Sequence, residues 1–206
     1  MQIVAMLTML IDHIGFLYFP ESPGWRVVGR LAFPIYAYFI VRGYRHTSSV
    51  KAYMTRLLLL AAVSQLPYML ALKQTGINAI GTLYVCLLAL YLLQRKSRTV
   101  SLPFTLLLAV LMELYDFDYG AYGLALVLIY HYLKADRVVL AHLGITLVYV
   151  LLGKGGPIQL FSLFATFGIV YGPKVYEAWD KRNVPSWLWR SFYPAHLAAL
   201  ALLESL

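Results

Sequence analysis

The sequence predicts an all-α protein that crosses a lipid bilayer several times: a multi-pass transmembrane helical bundle of about nine segments with a cytoplasmic N-terminus. Apolar residues make up 61% of the 206 residues and charged residues only 13%, and the mean hydropathy is +0.71. Soluble domains average about 45–50% apolar and 25% charged residues. The chain has no long linker, low-complexity tract or internal repeat, so residues 1–206 are predicted to form a single domain.

The apolar runs between polar breaks define the predicted spans. In order they cover residues 1–19, 27–45, 50–72, 79–94, 101–114, 119–133, 138–152, 158–172 and 186–204. A spanning helix needs about 20 residues, and several of these runs contain only 14 or 15. We therefore expect some spans to tilt or to extend into their flanking segments, and the number of spans is approximate.

The basic residues between the spans predict the orientation. With a cytoplasmic N-terminus, the inner connections contain Arg42, Arg45, Lys51, Arg95, Lys96, Arg98, Lys134, Arg137, Lys174, Lys181 and Arg182. The outer connections contain only Arg26, Lys73 and Lys154. An excess of Lys and Arg is typical of cytoplasmic loops. It accounts for most of the net charge of +8 without a nucleic-acid partner.

The single cysteine, Cys86, excludes an internal disulfide framework and any CxxC metal or redox site. It lies in the apolar run "GTLYVCLLALYLL", where we expect it to be a small buried hydrophobic residue. No metal site is predicted.

Ionisable side chains inside the predicted spans are the candidate functional residues. A charged side chain at the bilayer centre costs about 2.5–3.5 kcal/mol on insertion scales, so it is expected to face a cavity or a partner. The candidates, which include two polar residues of the same span as Arg56, are Asp12, His13, Arg30, Arg56, Ser64, Gln65, Arg190 and His196. Asp12 and His13 are adjacent and project about 100° apart on a helix, so each needs a partner on another helix. An alternative stays open, in which Asp12 only neutralises Arg30 or Arg56 as a buried ion pair.

Prolines accompany these residues in three spans. Pro34 is expected to leave the carbonyl of Arg30 without its helical partner, Pro194 lies two residues before His196, and Pro67 follows Gln65. Backbone groups freed at membrane depth are tolerated where they are buried in protein or line a wet pocket. Together the three prolines favour a cavity beside the ionisable residues.

Four stretches resemble the TraX family, which is named for the membrane acetyltransferase that acetylates the N-terminus of conjugative pilin. They are "AMLTMLIDHIG", "GRLAFPIYAYFIVRGYRHT", "KAYMTRLLLLAAVSQLPY" and "FYPAHL". The resemblance is close over the first 70 residues and local in the last helix, whereas residues 75–185 match only as hydrophobic helices. More distantly, the first two spans are similar to transmembrane acyltransferases of the heparan-glucosaminide acetyltransferase type. The resemblance implies an acetyl-CoA-dependent acetyltransferase of the bacterial cytoplasmic (inner) membrane. It does not imply that pilin is the acceptor for this protein.

Acetyl transfer from a thioester to an amine needs a base for the nitrogen and hydrogen-bond donors for the oxyanion. His13 is the predicted general base, because the ordinary histidine pKa of about 6.5 suits that role at neutral pH, and His196 is the next candidate. Asp12 is expected to orient a partner group or to neutralise an arginine. The predicted substrate-binding or oxyanion-binding residues are Arg30, Arg56, Ser64, Gln65, Arg190 and Tyr193. A transient acyl-histidine remains an alternative to direct transfer.

The acceptor is predicted to be an amine or a hydroxyl, on a peptide N-terminus or a small molecule. An α-amine with a pKa of about 7.7–8.0 is substantially neutral near pH 7, whereas a lysine amine near 10.4 is not. The acidic outer stretch "ELYDFDYG" either receives a cationic acceptor or forms an interfacial aromatic belt. His131 and His142 lie near the inner stretch "KADR" and are expected to be solvated or to snorkel to the interface.

Coenzyme A is anionic and cytoplasmic, so it is expected to approach the basic inner side. The stretch "VRGYRHTSSVK" supplies cations and hydroxyl donors suited to phosphate, namely Arg42, Arg45, His46, Thr47 and Lys51. A positive-inside loop has the same composition without any ligand. Two other classes stay open: a small proton- or solute-coupled transporter with a midplane Asp, His and Arg cluster, and a purely structural scaffold.

Overall fold

A computed structural model describes residues 1–172 and 184–205 of the chain. The α-helices, in chain order, are α1 (Gln2–Tyr18), α2 (Pro23–Gly29), α3 (Ala32–His46), α4 (Val50–Leu72), α5 (Ala79–Arg95), α6 (Arg98–Leu114), α7 (Gly120–Tyr132), α8 (Asp136–Leu151), α9 (Ser162–Tyr171) and α10 (Ser186–Glu204). A 3-10 helix, Pro157–Phe161, precedes α9. Across the described residues, β-type pairing is limited to one isolated parallel bridge between Ile77 and Phe117. The predicted all-α class is confirmed.

The helices follow the predicted apolar runs with one clear difference. The run 27–45 is divided between α2 and α3, and Arg30 is the C-cap of α2. Pro34 therefore lies in the first turn of a new helix, where its missing N–H costs nothing. The expectation of one continuous span over residues 27–45 was wrong, because the helix ends at Arg30, before Pro34. Pro67 and Pro194 do lie inside their helices, α4 and α10.

The chain divides into two compact units. Unit 1 comprises Met1–Tyr38 and Ile129–Tyr193, and unit 2 comprises Phe39–Leu128 and Pro194–Leu206. The boundaries fall within α3, α7 and α10.

In unit 1, α2 folds back onto α1 at two glycines. A Cβ added to Gly15 would lie 2.2 Å from the Cβ of Trp25, and one added to Gly29 would lie 2.0 Å from Oδ1 of Asp12. Both positions therefore require a residue without a side chain. The 3-10 helix packs against α2, and α8 packs against α9.

In unit 2, α5 packs between α4 and α6. Cys86 on α5 is completely buried, which confirms its prediction as a small core residue. Tyr68 and Leu87 are buried in the same core.

The outward faces of several helices are apolar. Within the described ranges, α4 is the helix that is both long and apolar enough to cross a membrane, with 23 residues and a mean hydropathy of 1.4. It exposes 61% of Leu59, 64% of Val63 and 65% of Leu66. On α6, Leu106 and Leu114 are likewise mostly exposed.

Candidate functional site

The candidate site in unit 1 is built around Asp12 on α1. Its Oδ1 lies 2.8 Å from Nη1 of Arg26 on α2, and the same nitrogen donates to the backbone carbonyl of Asp12 at 3.3 Å. Arg30 also interacts electrostatically with this carboxylate. The absence of a side chain at Gly29 gives the carboxylate its space. Asp12 is thus paired with half-buried arginines, as one of the open alternatives predicted, but its direct partner is Arg26 instead of Arg30 or Arg56.

Arg26 was missed because the sequence placed it in an outer connection, one residue before the predicted span 27–45. The structure instead begins α2 at Pro23, so Arg26 and Arg30 lie one helical turn apart. Residues four positions apart share a helix face. The spacing of Arg26 and Arg30 could have revealed the pair. It was overlooked because the predicted span 27–45 left Arg26 outside the helix.

Arg30 connects the ion pair to a residue that the sequence did not single out. Its Nη1 donates to Oε1 of Gln159 at 3.2 Å. Gln159 lies in the 3-10 helix and is only 1% exposed. An amide inside the apolar run 158–172 was the available signal, and it becomes informative only when the fold places Arg30 beside it.

His13 and Tyr193 lie together in unit 1. Their ring centroids are 6.3 Å apart with an edge-on interplanar angle of 61°, and both side chains are buried. Asp12 faces α2, whereas His13 faces α10. Each of these adjacent residues therefore contacts a residue on another helix, as predicted.

The polar side chains of the third predicted span have internal partners in unit 2. Ser64 Oγ donates to the carbonyl of Leu60 at 2.7 Å. The amide of Gln65 donates to the carbonyl of Gly76 at 2.8 Å and accepts from the side chain of Asn78 at 2.7 Å. Both residues therefore stabilise α4 and its connection to α5 in this structure.

The remaining predicted substrate-binding and catalytic residues are placed separately. Arg56 is exposed on α4 in unit 2, and Arg190 is exposed on α10 in unit 1. His196 is buried on α10, within the part of that helix that belongs to unit 2.

The basic stretch predicted to meet coenzyme A runs from the last turns of α3 to the first turn of α4. Ser49 caps this helix by accepting from the backbone N–H of Ala52, and Thr47 Oγ1 accepts from the N–H of Ser49. The basic residues of this stretch are exposed, and they are Arg42, Arg45, His46 and Lys51. A helix N-terminus favours anions, so the cations and the helix dipole have the same preference. Of the other inner basic residues, Lys174, Lys181 and Arg182 lie outside the described residues.

The acidic stretch after α6 has a structural role. Glu113 Oε1 accepts from the backbone N–H of Ala121 at 2.8 Å, which satisfies a free donor at the start of α7. The backbone of Asp116 and Asp118 hydrogen-bonds to Ile77. The stretch therefore joins the end of α6 to the segment before α5.

His142 is completely buried on α8, so the expectation that it is solvated or snorkels to the interface was wrong. Its Nδ1 lies 2.6 Å from Oγ1 of Thr166, which is also 2.6 Å from the hydroxyl of Tyr130, and its Nε2 lies 3.2 Å from Oγ of Ser162. Asp136 begins α8, so His142 lies almost two turns inside it. The spacing of Ser162 and Thr166, four positions apart on α9, was the missed signal. Such hydrogen bonds hold neighbouring helices together in apolar surroundings.

Comparison with known proteins extends the resemblance to the whole chain. A family model described as TraX protein matches residues 1–204. A protein of Dichelobacter nodosus described as probable fimbrial assembly protein FimC, serogroup H1, is 28% identical over 232 aligned positions, covering 97% of this chain and 92% of that protein. An uncharacterized protein of Rickettsia prowazekii (strain Madrid E) is 31% identical over 74 residues, which cover 36% of this chain and 28% of that protein. No solved structure matches the chain significantly. Because the family model spans nearly every residue, the middle helices included, the chain belongs to the TraX family.

Proposed function

We propose that this protein is an integral membrane acetyltransferase that moves an acetyl group from acetyl-CoA to an amine or hydroxyl acceptor. The observation that carries the proposal is the polar cluster of unit 1. It places a buried histidine, His13, against the phenol ring of Tyr193, and the neighbouring Asp12 beside Arg26 and Arg30. Membership of the TraX family and the similarity to a probable fimbrial assembly protein support the same reaction and a bacterial setting.

The exposed apolar faces support a multi-pass position in the cytoplasmic membrane, with the N-terminus on the cytoplasmic side. Soluble monomers rarely expose contiguous apolar patches larger than a few hundred Å², whereas α4 and α6 expose large aliphatic residues along their lengths. Helices of 17 residues, such as α1, α5 and α6, are about 26 Å long at 1.5 Å per residue. That length approaches the roughly 30 Å of a bilayer core, so these helices span with the help of their flanking segments.

In the proposed reaction, the acceptor nitrogen attacks the thioester carbonyl carbon while the imidazole of His13 takes its proton. The carbonyl oxygen becomes an oxyanion, which Tyr193 and the guanidinium of Arg30 stabilise. The C–S bond then breaks, and the protonated His13 returns the proton to the coenzyme A thiolate. The products are the acetylated acceptor and free coenzyme A thiol, and His13 is again neutral.

Asp12 has a positioning role in this mechanism. Its ion pair with Arg26 neutralises one of two neighbouring cations and fixes α2 against α1. Because Arg30 caps the end of α2, fixing this helix also fixes the guanidinium of Arg30.

The basic stretch at the N-terminus of α4 is proposed to bind the phosphates of coenzyme A. Arg42, Arg45 and Lys51 supply the positive charge, and His46 and Thr47 add hydrogen-bond donors. The N-terminus of α4 adds its dipole and its free backbone N–H groups, which also favour an anion.

The test is acetyl-CoA-dependent release of free thiol by detergent-solubilised protein. A peptide α-amine, a lysine-type amine and an alcohol are offered separately as acceptors, and mass spectrometry identifies the acetylated product. We expect acceptor-dependent thiol release that His13→Gln strongly reduces. Absence of thiol release with every acceptor, together with solute uptake by proteoliposomes, would instead establish the transporter alternative.

A further inference from the structure

Among the residues that the structure describes, the amide of Gln159 has a hydrogen-bond partner for only one of its two polar atoms. Oε1 accepts from Nη1 of Arg30 at 3.2 Å. Nε2 is buried and has no hydrogen-bond partner within residues 1–172 and 184–205. Because the whole residue is only 1% exposed, bulk water does not satisfy this N–H₂ group. Buried polar groups in native proteins are almost always paired, so an unpaired one calls for a ligand or a specific role.

The orientation of this amide is fixed by chemistry. A guanidinium can only donate hydrogen bonds, so the oxygen of Gln159 must face Arg30 and the nitrogen must point away. Gln65 provides the internal comparison, because both ends of its amide are satisfied, by Gly76 and Asn78. The fold can therefore satisfy both ends of a glutamine amide, and at Gln159 it leaves a donor available.

The free N–H₂ group selects the chemistry of its ligand. It donates only, so it recognises an acceptor atom and cannot recognise the N–H of an attacking amine. The polar cluster of unit 1 already contains the cations Arg26 and Arg30, which are the better partners for a phosphate. A neutral donor next to fixed cations suits a carbonyl oxygen that gains negative charge during the reaction.

We propose that Gln159 is a further catalytic residue of the acetyl transfer. Its Nε2 donates to the carbonyl oxygen of the acetyl thioester and to the oxyanion that forms there, and Arg30 holds the amide in this orientation. This inference rests on the proposed acetyltransferase function. It adds an uncharged oxyanion donor, from the 3-10 helix, to Tyr193 and Arg30.

Two substitutions separate the two ends of the amide. Gln159→Glu keeps an acceptor for Arg30 but has no N–H, and Gln159→Met keeps the approximate volume without either group. Removing one oxyanion donor typically lowers kcat about 10²–10³-fold, so we expect this loss in both variants with little change in the KM for acetyl-CoA. Gln94→Glu is the matched control, because Gln94 uses its Oε1 to accept from Tyr44 at 2.8 Å and keeps that acceptor as Glu. It is expected to retain the wild-type kcat.

A second measurement needs neither turnover nor a known acceptor. The carbonyl stretch of [1-13C]acetyl-CoA bound to the wild-type protein is recorded by isotope-edited infrared spectroscopy. A hydrogen bond from Gln159 lowers its frequency relative to free acetyl-CoA. In Gln159→Met the frequency is expected to return toward the free value, while acetyl-CoA still raises the melting temperature.

The outcomes distinguish this inference from the function on which it rests. A wild-type protein that neither binds acetyl-CoA nor releases thiol would overturn both. A wild-type protein that is active but whose bound carbonyl band is unshifted would overturn the role of Gln159 alone, even if both variants fail to fold. Wild-type kcat in Gln159→Glu would do the same.

Discussion

The Oδ1 atom of Asp12 and the Nη1 atom of Arg26 lie 2.8 Å apart, although the residues belong to different helices and are 14 positions apart in the chain. The side chains are 12% and 25% exposed, respectively. The pair is therefore largely, but not completely, removed from solvent. The pair joins α1 to α2. It therefore fixes the position of Arg30, at the end of α2, relative to His13 on α1.

The first prediction concerns charge compensation in this pair. Arg26→Leu leaves the carboxylate of Asp12 without its direct partner, and breaking a buried pair costs about 3–5 kcal/mol. Because Arg26 is a quarter exposed, we expect a loss near the lower end of that range. The double variant Asp12→Asn with Arg26→Leu is expected to recover most of it, as measured by unfolding in detergent. A double variant that is less stable than Arg26→Leu would show that Asp12 has another essential partner.

The second prediction compares two glycines of the same short helix. Gly29→Ala places a methyl group 2.0 Å from Oδ1 of Asp12, whereas Gly24→Ala meets nothing within 4 Å. Overpacking of this kind typically costs about 1–3 kcal/mol. We expect Gly29→Ala to lower the melting temperature and the rate of thiol release, and Gly24→Ala to leave both unchanged. Equal behaviour of the two variants would contradict the close packing of Asp12 on α2.

The third prediction concerns the general base. His13→Gln keeps a polar side chain of similar size but cannot take the proton, so turnover is expected to fall by roughly 10²–10⁴. Acetyl-CoA should still raise the melting temperature of the variant, because that stabilisation depends on binding and not on chemistry. His131→Gln, a half-buried histidine on α7, is the control and should keep the wild-type rate. Full activity in His13→Gln would make His196 the next residue to test.

The fourth prediction concerns the buried network of His142. Thr166→Val removes the hydroxyl that contacts both His142 and Tyr130, and an unsatisfied buried group costs about 1–3 kcal/mol. Thr146→Val is the control, because its hydroxyl is equally buried and donates to the carbonyl of His142, one turn earlier on the same helix α8. We expect a clearly larger loss of thermal stability in Thr166→Val, with kcat preserved in the folded fraction. A loss of kcat without a loss of stability would instead show that this network takes part in the reaction.

The fifth prediction concerns the approach of acetyl-CoA. Hydrogen bonds to charged groups contribute about 1.5–3 kcal/mol, so Arg45→Ala is expected to raise the KM for acetyl-CoA by about ten-fold or more. The KM for the acceptor should change little. Arg137→Ala, an exposed arginine at the start of α8, has the same effect on inner-loop charge and should leave both values unchanged. Equal effects of the two variants would assign the basic stretch to membrane orientation alone.

The sequence by itself determined most of the helices and marked residues of the candidate site that need partners. Apolar runs between polar breaks located the helices to within a few residues, because the length and hydropathy of a run are local properties. The same local pattern marked Asp12 and His13 as costly residues that need partners. It also identified Cys86 as a core residue, because a single cysteine inside an apolar run can form neither an internal disulfide nor a CxxC site.

The tertiary structure decided which polar groups meet. The break at Arg30 turned one predicted span into α2 and α3, and this brought Arg26 onto Asp12. Gln159 and His142 acquired their partners only through packing between helices distant in the chain. A hydrogen bond or an ion pair depends on the positions of two side chains in space, whereas periodicity and hydropathy describe one segment at a time. For that reason the sequence could name the residues that need partners, and only the fold could supply those partners.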